Sequence, residues 1–237
     1  MTGETETVVT PLTPLRKMIA DRMTLAKQTV PHYRLTTTIE MEALLALRQS
    51  LNNEPPWQDS DVKKLSINDF IVKAIAQALM DEPAINVQFI DNEIHQFSQA
   101  DIAVITAIDG GVTTPVLRQV NSLSVVDIAR EIKALVAKAK AGQLKMREIT
   151  GGTLAVSNLG MFGIEQFDAI INPPQCAIVA IGAVQQQVRV KQGEAVITPV
   201  IKLTLSLDHR VIDGAVGAQF LAALKHTIEQ AKAESFL

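Results

Sequence analysis

The chain has 237 residues, 47% of them hydrophobic and 20% charged, with a formal net charge of −3. This composition is globular, supplies enough apolar material for a packed core, and excludes disorder over most of the length. It leaves no nucleic-acid footprint, which needs clustered Lys and Arg, so any basic patch for an anionic ligand must be local.

In chain order, residues 1–12 are polar, Thr-rich and without helical periodicity, and read as a linker or flexible arm ahead of a domain over 13–237. Pro14 precedes a helix with Leu15, Met18, Ile19 and Met23 on one face, ended by Pro31. The Thr-rich segment 34–40 is β-prone, 41–51 reads as a short helix, and Asn52–Ser60, with Pro55, Pro56 and Trp57, as a loop. Ser66 to Asp69 forms a capping-box pattern before a mostly buried helix that Pro83 stops. Two strands, 101–108 and 111–117, are expected around the turn Asp109-Gly110-Gly111. A second capping-box pattern, Ser124 to Asp127, opens a long helix with Ile128, Ile132, Leu135, Val136 and Ala139 on its buried stripe and Gly142 at its end.

From 151 onward strands dominate: GGTLAVS, AIVAIGAV, QQVRVK and AVITPVIKLTLSLD. The last alternates Ile201, Leu203, Leu205 and Leu207 against Lys202, Thr204 and Ser206. A closing helix spaces Val216, Phe220, Leu224 and Ile228 by four. The pattern is one α/β domain. The single cysteine, Cys176, excludes an internal disulfide, and its apolar surroundings read as buried and inert. The chain opens without a secretory leader and has no apolar stretch long enough to span a bilayer, so a soluble protein with no membrane partner is expected.

The chemistry concentrates in Asp208-His209-Arg210-Val211-Ile212-Asp213-Gly214, where a strand gives way to a helix. A histidine there can serve as a general base near neutral pH, and Asp213 follows it by one helical turn. A solvated loop carrying a surface histidine is the competing reading. Gly151 to Gly160 forms a strand ending in a small polar turn, with Ser157 and Asn158 at its tip. The Ser157 hydroxyl can donate to a developing oxyanion, or simply satisfy the local backbone. P-loop, dinucleotide-binding, zinc-protease and serine-hydrolase signatures do not occur.

DHRVIDG resembles the DHRxxDG signature of dihydrolipoamide acyltransferase (E2) catalytic domains, and its His-x-x-x-Asp-Gly part resembles chloramphenicol acetyltransferases. GGTLAVSNLGMFGIEQFDAIINPPQCAIVAIGA, PLRKMIADRMTLAKQTVPHY, KLSINDFIVKAIAQAL and DGGVTTPVLR are similar to further segments of the family, in its order. The resemblance implies a chloramphenicol acetyltransferase-like α/β domain with a mixed central sheet and flanking helices. It implies transfer of an acyl group, acetyl above all, between the dihydrolipoyl thiol and coenzyme A. His209 matches the general base and Ser157 the oxyanion donor. Asp213 matches the carboxylate that fixes the loop, with Arg16 as its arginine partner. Thr114, Asn158 and Gly160 lie in segments that match the coenzyme A channel, and no metal is implied. The implied assembly is a homotrimer, with His209 and Ser157 from neighbouring subunits, that can build a larger cage and meets the E1 and E3 components indirectly.

The chain lacks the Asp-Lys-Ala lipoylation motif, so its lipoyl domain is expected in trans or on a missing segment. It ends in EQAKAESFL where the family has Glu-Asn-Pro and a hydrophobic tail, which puts the cage in question. A bacterial cytoplasmic location is favoured over the mitochondrial matrix. The alternatives are a small-molecule O-acetyltransferase and a catalytically silent scaffold.

Overall fold

The computed structural model describes residues 7–55, 57 and 62–237. In chain order it contains α1 (Pro14–Thr29), β1 (His32–Glu40), α2 (Glu42–Asn53), α3 (Ile67–Asp81), β2 (Val87–Ile90), β3 (Glu93–Gln96), β4 (Ile102–Val104), β5 (Thr106–Ile108), β6 (Gly111–Thr113), β7 (Val116–Leu117), α4 (Val125–Lys140), β8 (Leu154–Asn158), β9 (Ala177–Ile181), β10 (Gln185–Lys191), β11 (Glu194–Asp208), α5 (Gly214–Glu229) and α6 (Ala233–Phe236). Of the expected arm, residues 1–6 lie outside the described residues, and 7–13 carry no helix or strand. Of the expected 52–60 loop, Asn52 and Asn53 close α2, while 56 and 58–60 lie outside the described residues.

The alternating segment 194–208 forms β11, the strand on which the main sheet is built. Its second half lies between β1 and β9, both antiparallel to it, and the order runs β1-β11-β9-β8-β4-β7. β8 pairs parallel with both β9 and β4, so the sheet is mixed. The first half of β11 pairs with β10. β9 and β10 thus run in succession along one side of β11, interrupted at Gly182. A Cβ there would collide with the Glu165 carbonyl oxygen and lie 3.2 Å from that of Lys202.

One sheet face carries Leu154, Val156, Val179, Ile181, Leu203, Leu205 and Leu207 into the main core, together with α3 and α5. α3 is apolar nearly all round, from Phe70 to Leu79, because it is buried on all sides. Its capping box is complete: Ser66 Oγ accepts the Asp69 N–H, and Asp69 accepts the Ser66 N–H at 2.7 Å. At Ser124 only half of the box forms. Ser124 Oγ accepts the Asp127 N–H, but the Asp127 carboxylate takes the Ser124 hydroxyl. The other sheet face buries Ala103, Ala155, Ile178 and Ala180 against Val30, Ala169 and Ile171.

Three local expectations change. Segments 101–108 and 111–117 form four short strands. β4 and β7 stay in the main sheet, while β5 and β6 peel off as a separate hairpin after Ile105, whose N–H turns to Val156. On α1 the inward stripe is Leu15, Ile19, Met23 and Ala26, and Met18 is 53% exposed, because the helix touches the domain along one narrow line over Gly111. On α4, Ile132 and Val136 are only half-buried because they border cavities. The hairpin of β2 and β3 and the turn α6, whose Phe236 ring packs 5.3 Å from Phe70, carry no periodicity that a sequence reading can use.

Gly182→Ala sets a methyl group against backbone that cannot swing away. The expected loss is about 3 kcal/mol, read from the urea midpoint, with Gly193→Ala, which meets open space but has φ +87, as the strained comparison.

Candidate active site

β11 ends in Asp208, whose side chain is almost wholly buried. A buried carboxylate must be compensated. Arg210, two residues on, supplies the partner: its backbone N–H and Nε reach Asp208 Oδ1 at 3.0 Å each, and Nη2 reaches Oδ2 at 2.7 Å. The guanidinium lies 4.4 Å above the Phe89 ring. The Val211 and Ile212 N–H groups return to the Asp208 carbonyl, and Ile212 is buried. The chain is therefore gripped on both sides of His209, which projects outward, exposed. The His209 N–H donates to the Pro31 carbonyl at 3.1 Å, and its ring lies 4.3 Å from that of Tyr33, tilted by 47°.

Asp213 sits at the N-cap of α5, but its side chain caps no backbone N–H. Among the described residues no ion pair joins it to Arg16. The reason is placement: Arg16 starts α1, whereas the other end of that helix, at Val30 and Pro31, approaches His209, and the helix between is about 20 Å long. The ion pair beside His209 within the chain is that of Arg210 with Asp208. What Asp213 does touch electrostatically is Tyr33: burial first, and the Asp213 charge second, push the Tyr33 phenol up.

Ser157 is buried near the end of β8, in register with Ala180 and, across β9, with Thr204. Asn158 on the next position faces the other way. Its amide donates to Asn68 Oδ1 at 3.1 Å and its oxygen accepts the Gly160 N–H at 2.9 Å. Asn158 and Gly160 line a cavity of about 630 Å³ with apolar walls that include Val104, Ile132, Val156 and Ile181, and with Arg48 and Lys140 as its cations. Thr114 is elsewhere, in a cavity of about 210 Å³ beside Arg22 and Gln175.

His209 and Ser157 do not meet within the chain. Their levels on the sheet differ by two strands and five residues, which is roughly 19 Å. They also lie on opposite faces: Tyr33 packs with the main core, Ser157 follows Ala155 on the smaller one. Cys176 is fully buried, and burial reinforced by Asp208 pushes its thiol up to about 12. No cluster of three His, Cys, Asp or Glu suited to a metal occurs among the described residues, and no helix among them is long and apolar enough to cross a membrane.

Two outcomes follow. Arg210→Met leaves Asp208 buried without its partner and lowers unfolding free energy by about 2–4 kcal/mol, while Arg210→Lys, which keeps charge but not the fork, loses less. Iodoacetamide at pH 8 leaves Cys176 unlabelled in the folded protein and labels it in urea, as mass spectrometry reads directly.

Comparison with known proteins bears on this arrangement. Residues 4–235 match the family described as 2-oxoacid dehydrogenases acyltransferase (catalytic domain). The dihydrolipoyllysine-residue acetyltransferase component of the pyruvate dehydrogenase complex of Zymomonas mobilis is 45% identical over 219 residues, covering 92% of this chain and 49% of that protein. The chain spans about half the length of the curated relatives it matches. Among solved structures, the dihydrolipoamide acetyltransferase of Azotobacter vinelandii superposes with a TM-score of 0.89 at 27% identity, covering 98% of this chain and 94% of that one. It was studied for the role of a serine, a histidine and an asparagine in its catalytic mechanism, and these are spaced as Ser157, His209 and Asp213 are here. A chloramphenicol acetyltransferase, at 13% identity and a TM-score of 0.56 over 88% of this chain and 94% of that one, shares the fold. With nearly every residue inside the family match and the same architecture throughout, the chain belongs to the 2-oxoacid dehydrogenase acyltransferase (catalytic domain) family.

Proposed function

We propose that the chain transfers an acyl group, acetyl by preference, between a dihydrolipoyl thiol and coenzyme A, at sites completed by a second copy of itself in a homotrimer. The observation that carries this reading is the clamped, outward His209, separated from Ser157 in one chain but spaced from it in sequence as in the Azotobacter enzyme. Placing one chain's His209 beside a neighbour's Ser157 resolves the separation. A head-to-tail contact of this kind closes into a ring when the rotation allows.

In such a site His209 takes the thiol proton of coenzyme A or dihydrolipoamide. The thiolate attacks the thioester carbonyl, and the carbon becomes tetrahedral with its charge on oxygen. Ser157 donates its hydroxyl to that oxygen. The intermediate expels the other sulfur, which receives the proton from His209. No acyl-enzyme is needed. A thiol with pKa of roughly 8.5 needs only a modest base. Asp213 acts on this site through Tyr33, whose ring supports His209.

The cavity beside Asn158 suits coenzyme A: its apolar walls fit the pantetheine arm, and Arg48 and Lys140 fit the phosphates. The lipoyl group arrives on a domain outside these 237 residues, carried by a separate protein or by a further segment of this one. Acetyl preference rests on the pyruvate dehydrogenase component among the relatives. The same relationship favours a bacterial cytoplasmic setting, with E1 and E3 as indirect partners and trimers as units of a larger core.

His209→Ala lowers acetyl transfer from acetyl-CoA to dihydrolipoamide by about 10²–10⁴-fold, and Ser157→Ala by about 10²–10³-fold. Unfolding and refolding the two variants together, in equal amounts, restores about one quarter of the parental rate, since that share of all contacts between copies pairs an intact histidine with an intact serine. No restoration, with mixed trimers verified by mass spectrometry, shows that the site lies within one chain. Transfer to a hydroxyl acceptor in place of dihydrolipoamide marks a small-molecule acetyltransferase, and an inactive parent a scaffold.

A further inference from the structure

A second histidine lies at the base of the His209 loop. His32 opens β1 directly opposite Asp208. Its Nε2 is 3.0 Å from the Ile171 backbone N–H, which can only donate, so Nε2 must accept and the proton must sit on Nδ1. Nδ1 in turn lies 2.8 Å from the Val30 carbonyl, which can only accept. The ring is thus fixed in one neutral tautomer by a donor on one side and an acceptor on the other. It ties the 171 segment, next to Asn172 and Pro173, to the turn at Val30 and Pro31. The Pro31 carbonyl holds the His209 N–H.

We infer that His32 is a positioning residue for His209: as a neutral Nδ1–H imidazole it clasps the Val30–Pro31 turn to the 171 segment and so fixes the backbone from which His209 projects. This role rests on His209 being the base of the proposed reaction. Protonation of His32 would place an Nε2–H against the Ile171 N–H, two donors with no acceptor between them. Burial pushes its pKa down, and the Lys27 and Arg34 charges add to this, while the Val30 carbonyl and the Asp208 carboxylate oppose it. Arg34 is itself paired with Asp168 at 3.0 Å. The clasp is therefore closed at neutral pH and opens only as pH falls through a value below the ordinary histidine range, so the positioning is lost on the acid side.

Two variants divide the contacts. His32→Leu removes both. His32→Gln keeps an acceptor for the Ile171 N–H at about the Nε2 position. Amide hydrogen exchange of the parent at pH 7.5 is expected to show protection at Ile171 and His209. In His32→Leu, protection at both is expected to fall at least tenfold while that at Val156 in β8 is unchanged. In His32→Gln, Ile171 keeps its protection. The kcat for acyl transfer falls about tenfold in His32→Leu with KM for coenzyme A unchanged. The nitrogen shifts of the parent's His32 ring report an Nδ1–H tautomer. Protection and kcat unchanged in His32→Leu, protection lost evenly along the chain, or a ring with its proton on Nε2 would each overturn the inference. The exchange and tautomer measurements need no turnover, so a parent that transfers no acyl group refutes the proposed reaction and leaves the clasp to be judged by them.

Discussion

The site depends on one buried charge. Asp208 ends β11 under the surface, where a lone carboxylate is expensive to keep ionised. The chain meets that cost locally, by folding Arg210 back over it through three donors. Two residues that grip each other from i and i+2 leave the residue between them no room to turn inward. Outward presentation of His209 is thus a consequence of satisfying Asp208. The Phe89 ring beneath the guanidinium extends the grip to the β2–β3 hairpin, which otherwise has no part in the main sheet.

The pleat imposes the second constraint. Side chains along a strand alternate between faces, so Ser157 and Asn158 cannot look the same way. Asn158 turns to the large cavity with Asn68, and Ser157 to the smaller apolar face. His209 stands at the far end of β11, two strands across, with its ring on Tyr33. A thioester cannot bridge that distance, and no rotamer change brings the groups together, because the separation is set by strand register. In the proposed reaction these two residues therefore meet only across a contact between copies, so weakening that association is expected to weaken the chemistry even with both side chains intact.

Much of this was legible in the residues. The capping box at Ser66, the alternation of β11 and the Gly142 stop are local signals, and the structure has them where the sequence places them. DHRVIDG located the His209 end because its charges are close in sequence. The Arg210–Asp208 pair inside it is not singled out by the residues, since from sequence any arginine can answer a carboxylate. Tyr33 and Asn68 carry no sequence signal of this kind: each reaches its place from an element whose own pattern reports only core or cap. Thr114 lines a different cavity from Asn158 and Gly160, because the chain leaves the main sheet between Ile105 and Pro115.

Histidines at 32 and 209 show how little the residue type decides. The strand pairing brings their backbones together, yet one ring is half-buried between an N–H and a carbonyl and the other stands exposed against an aromatic face. A ring held by a fixed donor and a fixed acceptor cannot pick up a proton without losing a contact, which makes it a good strut and a poor base. A ring held only through its backbone and one stacked neighbour can exchange its proton with a substrate without disturbing the fold. In the proposed reaction, environment thus separates support from proton transfer between two identical side chains, by the same logic that separates paired carboxylates elsewhere.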